Sequence, residues 1–451
     1  MKCKKKTKVL LVPYPAQGHV TPMLKLASLL VNHGLNPIVI IPNFIKINNN
    51  VNNISIMSIP DELDQDGLII TSSSPTPRDF FAIENFMENY MPCEFERLVR
   101  ALQLVVEDGI VCLIVDLLAS WAIEVAKKCG IDQVAGFWPA MLATYGLIDS
   151  IPAMLHDGII SETGSPLHNG PICLSLDQPT LSPQDLPWLI GNSIARTSRF
   201  KFWIRTMERT RTLKWLLINT FQDECPKAQL QNTTNLINTQ IIPIGPLNTH
   251  VTIKNSSFWE EDSTCLNWLD KQVASSVLYI SFGSWVSPIG EAKVNSLALA
   301  LEATKRPFIW VLGPSWRQGL QKGYLERISK QGKIVSWAPQ MDVLQHEAVG
   351  CYLTHCGWNS TMEAIQSKKR LLCYPIAGDQ FVNCAYIVQK WKIGVRIDGF
   401  GVKDLEGGLK KIMNNDGMSE RLDKLNEMTM GKVASCKAMD NLTTFLSDVR
   451  M

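Results

Sequence analysis

The chain has 451 residues, 46% hydrophobic and 19% charged, which suits sizeable packed cores and excludes intrinsic disorder. Its 44 Lys and Arg against 42 Asp and Glu leave a formal net charge of +2, excluding a globally basic nucleic-acid binder and an acidic solvating tail. The 12 cysteines are scattered without a Cys-x-x-Cys pair, which excludes a disulfide scaffold. Cys351 and Cys356, with His355 between them, lack zinc-finger spacing and a second half, so buried thiols in a reducing compartment are expected.

The amino terminus carries Lys2, Lys4, Lys5, Lys6 and Lys8, but the apolar stretch 9–12 stops at Pro13, too short for a secretion signal. A strand entered from a solvated basic tail is expected. The longest apolar region, 110–126, is broken by Asp116 and Glu124, so neither membrane insertion nor use of sequons such as Asn255-Ser-Ser257 is expected. A cytoplasmic chain follows from these readings.

Short apolar runs at 8–12, 37–41, 54–59, 111–115 and 134–137 predict strands, and 22–32 and 119–129 predict helices ended by Gly34 and Gly130. Polar, Pro-rich 161–191 is expected to be a loop excursion from this first domain. Ile244-Gly-Pro-Leu247 and the polar stretch after it predict a linker. The pattern then restarts, with strands at 277–281, 308–312, 333–336, 350–354 and 371–374 and helices at 291–304, 360–367 and 379–390. Such βα alternation predicts an α/β protein with two Rossmann-like, doubly wound parallel-sheet domains facing each other across a cleft. The expected boundaries are 1–245, a linker at 246–262, and 263–434, with a final helix near 435–451 returning to the first domain.

The richest polar constellation runs from Trp337-Ala-Pro-Gln340 through His346 and Thr354-His-Cys-Gly-Trp-Asn-Ser-Thr-Met-Glu363 to Asp379-Gln380. A helix opening near Trp358 or Asn359 offers free backbone N–H groups to an anion, and His355, Asn359 and Ser360 add donors. Gly357 allows close backbone approach, and Trp337 offers a face for a nucleobase. Each residue also has a plain structural role open to it. Ser360 and Glu363 have capping-box spacing, Trp358 suits a core, and Asp379 suits an N-cap. Their co-occurrence at strand ends favours a site.

The segment 337–380 resembles the signature box of plant family-1 UDP-dependent glycosyltransferases. It matches at Trp337, Pro339, Gln340, Leu344, His346, Gly350, His355-Cys-Gly-Trp-Asn-Ser360, Glu363, Pro375 and Asp379-Gln380. Pro13-Tyr-Pro-Ala-Gln-Gly-His19, Ile244-Gly-Pro246 and Ser281-Phe-Gly-Ser284 extend the similarity over nearly the whole chain, with a flavour of subgroup 82. The resemblance implies a GT-B fold and a UDP-sugar co-substrate. It implies Trp337 stacked on uracil, the Ala338 backbone at the base edge, and Gln340 and Glu363 on the ribose. It places His355, Asn359, Ser360 and Ser284 on the diphosphate and Trp358, Asp379 and Gln380 on the sugar, with terminal Gln380 pointing to glucose. Where the family commonly has Gly-Val-Pro, this chain has Lys368-Lys369-Arg370, expected to face solvent.

His19 closes the turn after the first strand, and Asp116 ends the apolar strand at 111–115. A lone His and a lone strand-end Asp are commonly structural, but both stand where parallel sheets build sites. In the resembled family these positions are the catalytic base and the carboxylate that orients it. That implies inverting transfer from UDP-glucose to a small lipophilic metabolite, without a covalent intermediate. Asp64-Gln-Asp66 reads as the Asp-x-Asp of metal-dependent transferases but sits in an acidic loop far from the signature, so no metal is expected. Pro139 and Ala140 stand where many relatives have Thr or Ser, so sugar preference or turnover is expected to differ from the family norm.

Three rival chemistries lack their motifs. No Gly-x-Gly-x-x-Gly follows a strand (Gly399-Phe-Gly401 comes nearest), and neither a P-loop nor a Gly-x-Ser-x-Gly elbow occurs. A non-catalytic sugar-nucleotide binder is disfavoured by the presence of both His19 and Asp116. Phe86, Phe137, Trp138, Met141 and Trp188 are candidates to line the acceptor site, though base rates favour the core for each. A monomer is the expected state.

Overall fold

The computed structural model describes residues 7–45, 47, 54–60, 80–105, 109–173, 178–221, 224, 239–247, 259–284 and 289–450. The acidic loop with Asp64 and Asp66, the sequon at Asn255 and most of the expected linker lie outside them. The chain divides into two compact units, one of Met1–Ile151, Lys201–Phe258 and Lys432–Met451, the other of Pro152–Phe200 and Trp259–Gly431. Among the described residues no helix is long and apolar enough to cross a membrane.

The first unit holds a parallel seven-stranded sheet in the order β3-β2-β1-β4-β5-β6-β7. Its strands are β1 (Lys8–Val12), β2 (Asn36–Pro42), β3 (Ser55–Ile59), β4 (Ile110–Asp116), β5 (Val134–Trp138), β6 (Trp215–Ile218) and β7 (Gln240–Pro243). β1, β4 and β5 are almost wholly buried, which explains their continuous apolar runs: a parallel sheet is covered on both faces. The helix Gln17–Asn32 starts before Pro22, where the sequence pattern placed it, because the chain turns into it at Ala16. His19 therefore lies in the first turn, its backbone N–H bonded to the Ala16 carbonyl at 2.9 Å.

The second unit holds a parallel six-stranded sheet in the order β10-β9-β8-β11-β12-β13. Here the strands are β8 (Val277–Ser281), β9 (Phe308–Val311), β10 (Gly332–Val335), β11 (Val349–Thr354), β12 (Arg370–Cys373) and β13 (Gly394–Arg396). In both sheets the strand order reverses direction at the centre, between β1 and β4 and between β8 and β11. In open parallel sheets the crevice for a ligand forms at that reversal, beyond the carboxyl ends.

Two sequence expectations change here. Pro152–Phe200 groups with the second unit, not the first. Polar contacts tie it there: Asp185 accepts from Arg396 at 2.8 and 3.3 Å, and Thr180 and Gln389 exchange hydrogen bonds. Nor do all three cations of 368–370 simply face solvent. Lys369 donates to the carbonyls of His346 and Val349, Arg370 donates to the Ile412 carbonyl and the Ser419 hydroxyl, and Lys368 pairs with Asp423. Each cation satisfies a local acceptor that a Gly-Val-Pro turn would leave to other partners.

The helix Lys432–Arg450 packs on the first unit. Leu442, Phe445, Leu446 and Val449 enter its core, Phe445 meets Trp215 edge to face at 5.7 Å, and Asn441 donates to the Pro243 carbonyl. Elsewhere in this unit, buried Glu224 accepts from the Leu142 and Ala143 amides and from the Thr220 hydroxyl, capping the helix Leu142–Asp149. Burial dominates those bonds and pushes its carboxyl up to about 7.

Candidate active site

At the strand reversal of the first unit, β1 and β4 lie side by side, with Val12 opposite Val115. This register brings His19, seven residues beyond β1, to Asp116, the last residue of β4. His19 Nδ1 is 2.7 Å from Asp116 Oδ2, while Asp116 Oδ1 accepts from the Leu118 amide at 2.9 Å. The carboxylate is wholly buried, whereas 23% of the His19 side chain is exposed. Tyr14 packs edge-on against the imidazole at 5.3 Å between ring centroids. A buried anion fixed at both oxygens thus orients an imidazole that still reaches the surface, the arrangement a general base needs.

At the reversal of the second unit, Phe282-Gly-Ser284 follows β8 and His355-Cys-Gly357 follows β11. His355 Nε2 lies between two glycines: a Cβ on Gly283 would come within 2.6 Å of it, and one on Gly357 within 2.4 Å. Gly283 has φ +79°, so conformation also demands glycine there, whereas Gly357 is needed for space alone. Burial lowers the His355 pKa to about 4, with only the Ser281 backbone opposing, so the imidazole is neutral near pH 7. Its Nδ1 is buried without a well-formed hydrogen bond.

The helix Trp358–Gln366 opens immediately afterwards with Gly357 as N-cap, a residue with no side chain to satisfy the first amides. Ser360 and Glu363 do not form the capping box their spacing allows. Their side chains instead accept from Gln340 Nε2, at 3.0 and 2.7 Å. Gln340 Oε1 accepts from the phenols of Tyr279 and Tyr352, at 3.0 and 3.2 Å. Burial pushes the Tyr352 phenol up to about 12, which keeps it a donor. Both hydrogens and both lone pairs of the Gln340 amide are thereby used within the protein. Gln340, expected at the ribose, here braces Glu363 and Ser360.

Trp337 follows β10, half-buried, with its carbonyl accepting from the Asp262 amide at 3.0 Å and its ring tilted against Trp259 at 6.3 Å. Ala338 beside it is buried. Trp358 is buried and meets Trp391 at 6.5 Å. Asp379 Oδ2 accepts from Asn383 Nδ2 at 2.8 Å, and the same nitrogen donates to the Cys356 carbonyl at 2.9 Å. Asn383 is fully buried and so bolts Asp379 to the turn at Cys356. Gln380 Oε1 accepts from the Ile376 and Ala377 amides, both at 2.9 Å, closing the loop after β12.

The second unit thus gathers His355, Asn359, Ser360, Glu363, Gln340, Asp379 and Gln380 into one connected region, with Ser284 on the segment after β8. His346 is structural, since its Nδ1 accepts from the Ala348 amide and its Nε2 meets Asp270. The apolar acceptor candidates are core: Phe86, Phe137, Trp138, Met141 and Trp188 are each 3% exposed or less, and Trp188 belongs to the second unit, donating to the Gly164 carbonyl. Large aromatics in these positions fill space before they line pockets. Sequence reasoning missed Tyr279, Tyr352, Asn383 and Trp259. Only Trp259, which stands beside Phe258 in a stretch otherwise polar, carried a signal that could have found it.

Comparison with known proteins gives this geometry a setting. A family model described as UDP-glucoronosyl and UDP-glucosyl transferase matches residues 205–442. The chain is 49% identical to UDP-glycosyltransferase 82A1 of Arabidopsis thaliana, with 98% of each covered. It is 32% identical to UDP-glycosyltransferase 83A1 of the same plant, with 98% of this chain and 96% of the relative covered. Medicago truncatula UGT71G1, solved with UDP-glucose, superposes with a TM-score of 0.81 at 22% identity over 98% of both chains. Phytolacca americana UGT2, solved with UDP-2fluoro-glucose and pterostilbene, gives 0.78 at 22% identity over 99% of this chain and 100% of that one. These superpositions show a GT-B fold, built from two Rossmann-like parallel-sheet domains. Given such identity along almost the full length of a relative, the chain belongs to the plant family-1 UDP-dependent glycosyltransferases, close to subgroup 82.

Proposed function

We propose that this glycosyltransferase moves glucose from UDP-glucose to a hydroxyl of a small lipophilic plant metabolite, with inversion at the anomeric carbon. The observation that carries the catalytic part is the His19–Asp116 pair, 2.7 Å apart at a strand reversal. With its Nδ1–H donated to Asp116, His19 has the basic lone pair on Nε2. As the acceptor oxygen attacks C1 of the sugar, Nε2 takes its proton and the bond from C1 to the UDP oxygen breaks. Asp116 stabilises the imidazolium so formed. General-base assistance of this kind is worth roughly 10²–10⁴-fold.

In this reading Trp337 stacks on uracil beside the Ala338 backbone, and Glu363, braced by Gln340, takes the ribose hydroxyls. The amides at the start of Trp358–Gln366, with His355, Asn359, Ser360 and Ser284, absorb the charge of the departing diphosphate. A neutral imidazole suits this role as a hydrogen-bond donor. Trp358, Asp379 and Gln380 take the sugar. The diphosphate-side donors are amide, imidazole and hydroxyl groups without a carboxylate pair, so the mechanism assigns no cation. UDP-glucose is favoured by Gln380 and by the UDP-glucose held in the Medicago relative; pterostilbene in the Phytolacca relative supports a phenolic acceptor. A monomer in the cytoplasm, with its cysteines reduced, completes the proposal.

The test is UDP release from UDP-glucose across a panel of phenols and aliphatic alcohols, with product stereochemistry read by the anomeric proton coupling. A β-glucoside from at least one acceptor is the expected result. An α-glucoside would overturn the single-displacement mechanism.

A further inference from the structure

Beneath the turn that carries His355 lie three sulfur atoms the proposed reaction does not use. Cys356 sits in the turn with φ +66°, Cys373 ends β12, and Cys384 belongs to the helix Gln380–Ala385. Their Sγ atoms all lie within 4.8 Å of one another, and each residue is at most 1% exposed. One buried cysteine is an ordinary core filler. Three sulfurs converging from three segments are the donor set of a soft cation. With Zn–S bonds of about 2.3 Å, a planar three-sulfur site needs sulfurs about 4 Å apart, so closing the trio takes less than about 1 Å.

We propose that Cys356, Cys373 and Cys384 form a binding site for a single thiophilic d¹⁰ cation, and that its occupancy disables the donor site. Binding converts M²⁺ and three thiols into an M(SR)₃ anion and three protons. Arg396 and its ion-pair partner Asp185, 2.8 Å apart, both act on the Cys384 sulfur, the cation more strongly than the carboxylate. Drawing the sulfurs together pulls on Cys356, hence on the glycine-lined seat of His355 and on the Cys356 carbonyl that Asn383 ties to Asp379. The effect on the donor rests on the proposed UDP site; the cation site itself does not.

The experiment uses the full-length protein, reduced and stripped with chelator, titrated with Cd²⁺ while the thiolate-to-cadmium charge-transfer absorption is followed. Cys373→Ala and Cys384→Ala are titrated in parallel, with Cys384→Ser as the alternative should either fold poorly by circular dichroism. Exposed Cys93, Cys173 and Cys436 are common to all and cancel in the difference. The expected difference is one Cd²⁺ per chain, present in the wild type and absent from the variants. UDP affinity measured by calorimetry should weaken about ten-fold or more in the loaded wild type, be restored by chelator, and be indifferent to Cd²⁺ in the variants. Variants that keep the full wild-type signal overturn the site. A loaded wild type that binds UDP unchanged overturns the coupling. Should the metal-free protein not bind UDP at all, the donor reading fails while the absorption difference still decides the cation site.

Discussion

Gln340 holds Glu363 at 2.7 Å and is itself held from behind by the phenols of Tyr279 and Tyr352. The proposed ribose ligand is therefore aimed by a network that never needs to touch the ligand. Gln340→Ala should raise KM for UDP-glucose by about ten-fold with a smaller change in kcat. It should also lower stability, since an unpaired buried polar group costs about 1–3 kcal/mol. Tyr279→Phe with Tyr352→Phe should reproduce part of the KM effect. An unchanged donor KM in all these variants would remove Gln340 from its positioning role.

His19→Ala should reduce turnover by about 10²–10⁴-fold while calorimetry shows UDP bound as tightly as before. Asp116→Asn keeps the volume but loses the charge that stabilises the imidazolium, and should fall in the same range. Turnover within a few-fold of wild type in either variant would overturn the assignment.

Trp337→Ala should weaken UDP by about 1–3 kcal/mol, the worth of one base stacked on an aromatic ring. Trp259, tilted against it at 6.3 Å, should matter less, because it would support the stacking face without forming it. Equal losses in the two variants would mean that the base lies elsewhere.

The buried titratable groups give the two units opposite pH responses. His355 falls from its ordinary 6.5 to about 4, so between these values the unfolded chain takes up a proton that the folded one refuses. That contribution is complete above about pH 6.5 and is lost as the pH falls towards 4. Glu224 rises from 4.5 to about 7, so its contribution is complete below 4.5 and is lost as the pH climbs through 7. Each shift is worth on the order of 3 kcal/mol. Amide hydrogen exchange resolves the units separately. Protection in the first unit should weaken from pH 5 to 8 and be flattened by Glu224→Gln; an equally steep decline in that variant would place the titration on another group.

The strands at the centre of each sheet were legible in the sequence because burial on both faces leaves an uninterrupted apolar run, as in β1, β4, β8 and β11. The edge strands β7 and β13 were missed because Gln240-Ile-Ile-Pro243 holds only two large apolar residues and Gly394-Val-Arg396 only one. β6 was missed as well, although its Trp-Leu-Leu-Ile run is apolar and buried throughout. His19 and Asp116 stood out as polar residues at strand ends, but only the register of β1 against β4 brings them together. Contacts made by tertiary folding left less trace. Asn383 reads as an ordinary helix polar residue, Tyr279 and Tyr352 as strand aromatics, and the cysteines from 356 to 384 have no ligand spacing. Residues 161–191 read as a loop of their sequence neighbours because the Asp185–Arg396 ion pair spans a long stretch of chain.

The helix Lys432–Arg450 places Leu442, Phe445, Leu446 and Val449 in a core whose other members come from residues 9 to 247. On the ribosome, the amino-terminal sheet must therefore wait, one hydrophobic seam open, while the whole intervening six-stranded sheet is made. A nascent chain stalled before residue 432 would expose that seam and call for a chaperone. Splitting the protein into two independently expressed halves should succeed only when this helix is grafted onto the first.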